Sequence, residues 1–205
     1  MVRLKKAVIG VVALLAIGLW TAAGAAVPDP KDIQVRVQKD GPWVKVEVEF
    51  LVDATPAEAW SVLTDYDHMD KIVSNVKESR IVKREGPRLE VSQKGKAGIG
   101  PLSVNFENVR EILLTPHREI RSRMISGDMK SSEFTTRISG EGDRTRVTNH
   151  GQYLPTIFVP PVIGPAFIEA ETRKQFQELR VELLRRKGAG VGPLTSGTPT
   201  ALPAP

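Results

Sequence analysis

The chain has 205 residues, 40% of them hydrophobic and 26% charged, which suits one globular domain and excludes a chain disordered throughout. It holds no cysteine, which excludes disulfides, thiol catalysis and cysteine-ligated metal, and His68, His117 and His150 lie 49 and 33 residues apart, without the spacing of a zinc helix, so neither metal nor cofactor is expected. The formal charge is +5, but removing Arg3, Lys5 and Lys6 from the 29 basic residues leaves 26 against 24 acidic ones, which gives no reason to expect nucleic acid as a partner.

Residues 1–25 read as a signal peptide. Three basic residues precede an uncharged apolar run of 14 residues, Ala7 to Trp20, and Ala23-Gly24-Ala25 fits a signal peptidase site. The run is shorter than the roughly 20 residues needed to span a bilayer. The alternative is an uncleaved N-terminal membrane anchor. Both put the domain outside the cytoplasm, and the expected compartment is the periplasm of a Gram-negative bacterium. At the other end, residues 188–205 (GAGVGPLTSGTPTALPAP) are uncharged and rich in Gly and Pro, and are read as a disordered tail. One domain remains, residues 30–187.

Its first clear strand is Trp43–Asp53, where Val44, Val46, Val48, Phe50 and Val52 alternate with Lys45, Glu47, Glu49 and Leu51. Ile33, Val35 and Val37 alternate before the turn signal Asp40-Gly41-Pro42, as a hairpin partner or as the start of one bent strand. Thr55, Pro56 and Glu58 supply an N-cap, a first-turn proline and a capping box for a short helix with an inner stripe of Ala59, Trp60 and Leu63. Residues 68–73 add a second short helical turn. Six strands follow, at 77–84, 88–97, 102–114, 119–126, 129–138 and 145–153, separated by short turns that imply an antiparallel meander. In the final segment, 165–187, Ile168, Thr172, Phe176, Leu179 and Leu183 share one helical face, opposite Glu171, Lys174, Glu178, Arg180 and Glu182. The fold class is therefore α+β: a curved antiparallel sheet wrapped around a long C-terminal helix, with two short helices after the first strand.

The segment Phe50 to Tyr66, F-x-V-x-A-T-P-A-E-A-W-S-V-L-T-D-Y, followed by the meander and terminal helix, resembles the START-like, helix-grip superfamily. This superfamily includes the polyketide cyclase/dehydrase and lipid-transport family, the coenzyme-Q-binding proteins and the birch-pollen allergen type. The resemblance covers residues 43–187. It implies a cavity between sheet and helix that takes a lipid or other hydrophobic small molecule. The signature shapes the first helix and says little about the ligand.

Strand alternation nominates the cavity lining. Phe106, Asn108, Arg110, Ile112 and Leu114 share a face whose apolar end points it inward, and the same reasoning adds Gln93, Met124, Phe134, Asn149, Tyr153 and, from the helix, Phe176. An inward Arg110 would hold a carboxylate or phosphate head group; a bulge turning it outward, or a glutamate pairing with it, would remove that role. No catalytic residue is assigned: His150 falls on the outer face, His68 lies near the expected cavity mouth, and Asp65 and Asp67 read as cap and turn residues. The proline-studded segment 154–165 is strongly apolar, and its Ile157, Phe158, Val159, Val162 and Ile163 suit a lid or transient membrane contact, or else pack onto the sheet and close one end of the core. The readings that follow are an exported carrier, a cyclase or dehydratase acting on an apolar ring, or an envelope protein-interaction module.

Overall fold

The structure, a computed structural model, describes residues 32–98, 103–156 and 164–190. Alternation in the first strands decides which sheet face is buried. In β1 (Gln34–Asp40) and β2 (Trp43–Val52), Val35, Val44, Val46, Val48, Phe50 and Val52 are buried, while Lys45 and Glu47 are exposed. The two strands pair antiparallel across a two-residue Gly41–Pro42 turn, with Gly41 at φ 56°, so β1 is a separate hairpin strand.

The chain then leaves the sheet for α1 (Pro56–Leu63). Thr55 Oγ1 accepts from Glu58 N–H at 3.2 Å and Thr55 N–H donates to Glu58 Oε2 at 2.7 Å, which completes the capping box. A 3-10 turn (Tyr66–His68) and α2 (Met69–Ile72) lead back to the sheet. There β3 (Val76–Glu85), β4 (Arg88–Ala97), β5 (Val104–Thr115), β6 (Glu119–Gly127), β7 (Met129–Glu141) and β8 (Arg144–Pro155) form a continuous antiparallel meander. The eight strands stand in the order β1-β2-β8-β7-β6-β5-β4-β3, so the first hairpin pairs with the last strand.

β8 runs two residues further than expected, and takes in Leu154 and Pro155. Pairing with β2 has ended at Val44–Tyr153, so the missing N–H of Pro155 faces no neighbouring strand on that side. Ile157, Phe158, Val159, Val162 and Ile163 lie outside the described residues, as do residues 1–31 and 191–205.

The last element is α3 (Gly164–Gly188), which packs chiefly on β1, β2, α1 and α2. Ile168, Phe176, Leu179 and Leu183 join the core, and the Phe176 ring meets Phe50 edge-on at 6.0 Å. The expected division of the helix into an inner and a wet face is too simple. Arg180, assigned to the wet face, is 2% exposed and its guanidinium lies 3.7 Å from Asp32. Glu178 accepts from the Ser74 N–H at 2.9 Å, and Arg186 pairs with Asp65 at 2.6 Å. The helix has β1 on one flank and α1 and α2 on the other, so part of its polar face is buried too.

Candidate functional site

Strand register places every nominated strand residue on the same face. The rungs read Gln93–Asn108, Gly95–Phe106 and Val91–Arg110–Met124 on one side, and Phe134–Gly151 and Thr136–Asn149 on the other. Met124, Phe134, Asn149 and Tyr153 thus share the inner face with the core residues Val44, Val46 and Val48 of β2. Phe176 reaches the same core from α3.

Burial along that face is graded in the central strands β5 to β8, while Val44, Val46, Val76 and Gln93 on the flanking strands stay buried at the loop end. At the end capped by α1, the inward residues Leu89, Ile112, Ile120, Ile138 and Val147 are all buried. At the opposite end Phe106, Asn108, Arg110, Met124, Phe134, Asn149 and Tyr153 are only half-buried. This half-exposed end is where β4 passes to β5 and where β8 passes to α3. The inner face of β5 to β8 is thus closed by α1 at one end and only partly covered at the loop end.

Two glycines make its floor. An added Cβ at Gly95 would strike the Phe106 ring and the Asn75 carbonyl, and one at Gly151 would strike the Phe134 ring and the Glu133 carbonyl. Each phenyl ring lies across a glycine of the neighbouring strand, in the space that a Cβ there would take.

A bulge does occur near Arg110, but on the partner strand. The β5–β6 register shifts between Val109 and Arg110, with Val109 opposite Ser126 and Arg110 opposite Met124, so Ile125 is the extra residue. Arg110 keeps its inward direction. Among the described residues it is not paired with a glutamate either, for the adjacent Glu111 points outward to Arg88 at 2.6 Å and Arg123 at 2.8 Å. Instead the Arg110 guanidinium donates to Gln93 Oε1. Gln93 Nε2 donates to Ser79 Oγ at 3.0 Å, and Ser79 Oγ donates to the Tyr66 carbonyl at 2.5 Å. Asn149 Nδ2 donates to Thr136 Oγ1 at 2.8 Å. Burial pushes the Tyr66 phenol up to about 12 against the opposing field of Arg110, and burial alone raises Tyr153 to about 12. Both phenols stay protonated near neutral pH and neither acts as a base there.

Asn75 was not nominated from the sequence. It is 7% exposed, both its amide atoms lack a partner, and it lines a hollow of about 270 Å³ at the loop end with Lys77, Lys96, Gly98, Glu171 and Lys174. Its position just before β3 gave no alternation to read.

The histidines lie elsewhere. His68 was expected near the mouth, but its Nδ1 is 2.6 Å from Asp65 Oδ1, and Asp65 in turn holds Arg186 in the last turns of α3, away from the loop end. His117, at φ 59° in the β5–β6 turn, packs on the Trp60 ring at 5.6 Å. His150 is exposed on the outer face, as read from the sequence. Asp67 accepts from the Ile81 N–H at 2.7 Å, a turn role. Among the described residues, the inner sheet face carries no carboxylate or imidazole. An outer-face depression of about 620 Å³ has a mixed lining that includes Lys45, Glu111, Leu113, Arg121, Arg123 and Glu133.

Residues 44–186 match the sequence model of a family described as polyketide cyclase/dehydrase and lipid transport. No curated protein matches the chain. Among solved structures, a STAR-related lipid transfer protein fragment from Xanthomonas axonopodis is 15% identical with a TM-score of 0.63, covering 77% of this chain and 96% of that one. The Zhui aromatase/cyclase from Streptomyces sp. R1128 is 16% identical with a TM-score of 0.61, covering 73% and 99%. Human STARD10 is 18% identical with a TM-score of 0.61, covering 77% and 71%. Likeness at these identities establishes the helix-grip fold and leaves the ligand open.

Proposed function

Because the chain belongs to the polyketide cyclase/dehydrase and lipid-transport family, we propose that it is an exported carrier of a lipid or other hydrophobic small molecule, held in the cleft between the inner sheet face and α3. The observation that carries this reading is the gradient of burial on the inner face. Phe106, Met124, Phe134 and Tyr153 present apolar surface at the open end of the cleft that their own fold leaves half-covered. A ligand covering them gains about 0.8 kcal/mol per buried methylene. Export rests on the leader sequence, and the periplasm of a Gram-negative bacterium is the proposed site of action.

Entry through the loop end accounts for two exposed apolar residues there, Val104 at 49% and Ile125 at 51%. With the apolar run 157–163 they would make transient contact with a membrane during loading. A second reading has one observation in its favour. Arg110 in the cleft could hold the developing oxyanion of a cyclising or dehydrating substrate.

Native mass spectrometry of the protein recovered from its own host, followed by organic extraction, tests both. An extractable added mass, lost when Ile157 and Phe158 become Asp, supports the carrier. A bare mass that stays bare after incubation with envelope lipid refutes it. A ligand chemically altered by the protein moves the assignment to the enzyme reading. The same sample reports whether residues 1–25 have been removed.

A further inference from the structure

The cleft contains a positive charge without a countercharge. Among the described residues no carboxylate pairs with Arg110, whose hydrogen-bond partner is the neutral Gln93 amide. Arg110 Nε is shielded from solvent and has no partner among the described residues, and neither has Asn108 Oδ1 on the next inward position of β5. Among the described residues, those set beside the guanidinium include Gln93 of β4, Met124 of β6 and Tyr66 from the 3-10 turn, all neutral. Residues 99–102 and 157–163, outside the described residues, contain no Asp or Glu. Burial pulls the Arg110 pKa down, but a guanidinium keeps its proton inside proteins, so the charge remains. A half-buried cation whose Nε is shielded from solvent costs free energy unless something outside the chain completes it.

We propose that Arg110 is a head-group site for a carboxylate, and that the ligand of the cleft is a monoanionic amphiphile. This rests on the carrier reading. Gln93 takes one N–H of Nη2; the remaining donors, Nε among them, match the two oxygens of a carboxylate. A single negative charge balances a single positive one, whereas a dianionic phosphate would leave a net charge in an apolar setting. The hydrocarbon then runs from Arg110 past Met124 and Phe134 toward Tyr153, along the half-covered surface. Asn108 Oδ1 asks for a donor beside the carboxylate, which a ligand hydroxyl would supply.

The test uses the delipidated full chain at pH 8 and compares hexadecanoate, hexadecanol and hexadecyl phosphate by displacement of a neutral apolar dye. The expected result is hexadecanoate binding at least about tenfold more tightly than hexadecanol, from charge-assisted hydrogen bonds, and more tightly than the phosphate. In Arg110→Met that preference collapses to near unity while hexadecanol affinity is kept, and Arg110→Lys restores part of it. The ligand-free Arg110→Met protein melts no lower than wild type, because an uncompensated charge has been removed. Equal binding of acid and alcohol by wild type overturns the head-group site and leaves the carrier intact. Binding of none of the three overturns the carrier. A tighter phosphate overturns the carboxylate assignment. A lower melting temperature in Arg110→Met, with loss of acid and alcohol together, assigns Arg110 a structural role and overturns the proposal as well.

Discussion

Thr145 gives the sharpest test of how α1 is held against the sheet. Its side chain is 0% exposed, and Oγ1 donates to the Ala54 carbonyl at 2.5 Å, just before the helix N-cap. Thr145→Val keeps the side-chain shape and the branched preference for strand, so it opens no cavity. What changes is the hydroxyl. The Ala54 carbonyl is then buried without that donor, which costs about 1–3 kcal/mol. For a domain of this size each kcal/mol corresponds to roughly 2–4 °C in Tm, so the variant melts about 2–12 °C lower. Thr145→Ser keeps the hydrogen bond and loses one buried methyl, worth about 1 kcal/mol. Calorimetry on the three proteins at one pH separates the contributions. A valine variant that melts at or above wild type would falsify the claim that this hydrogen bond, and not packing alone, secures the start of α1.

Gly151→Ala drives a Cβ into the Phe134 ring and the Glu133 carbonyl; urea unfolding is expected to show a loss of about 1–3 kcal/mol, the usual cost of overpacking, with a fall in ligand retention as the ring swings into the cleft. Thr55→Ala removes the capping box and costs about 1 kcal/mol, read from the same unfolding curves. The Glu182 carboxyl is held at about 2, below its ordinary 4.5, by hydrogen bonds from Arg185 and then Arg186. A depressed folded pKa contributes stability that is present above 4.5 and lost as the pH falls toward 2. Glu182→Gln is therefore less stable than wild type at pH 7, by about 1 kcal/mol after solvent screening, and urea titrations across that acid range show the gap closing.

The sheet was legible because its strands alternate cleanly. Val44 to Val52 named their buried face, and the turns around Gly41, Gly86 and Gly142 punctuated the meander where the structure puts its hairpins. The inward set from Phe106 to Leu114 followed from period two alone. What alternation cannot show is which residues of different strands stand opposite each other. The stacking of Phe134 on Gly151 and of Phe106 on Gly95 needs register, and register here depends on β2 pairing with β8. The bulge at Ile125 was invisible for the same reason: it sits on the neighbour of the strand it affects. Arg180 misled because helical periodicity reports one buried stripe, whereas α3 is flanked on two sides. Asn75 carried no signal because a buried amide in a connector looks like any polar loop residue.

The strand order also dictates when the molecule can finish assembling. Each hairpin from β3 to β8 joins neighbours in sequence and closes locally. The first hairpin cannot seat until β8 exists, since Val52 meets Thr145 across a connection of about 90 residues, whose closure costs roughly 4 kcal/mol in chain entropy. β1 and β2 must therefore wait with their valine face unpaired until nearly the whole domain has been delivered, and α3 follows later still to cover it. A chain presented N-terminus first is held open by its own topology, and the step that completes the sheet also sets the two walls of the cleft into place.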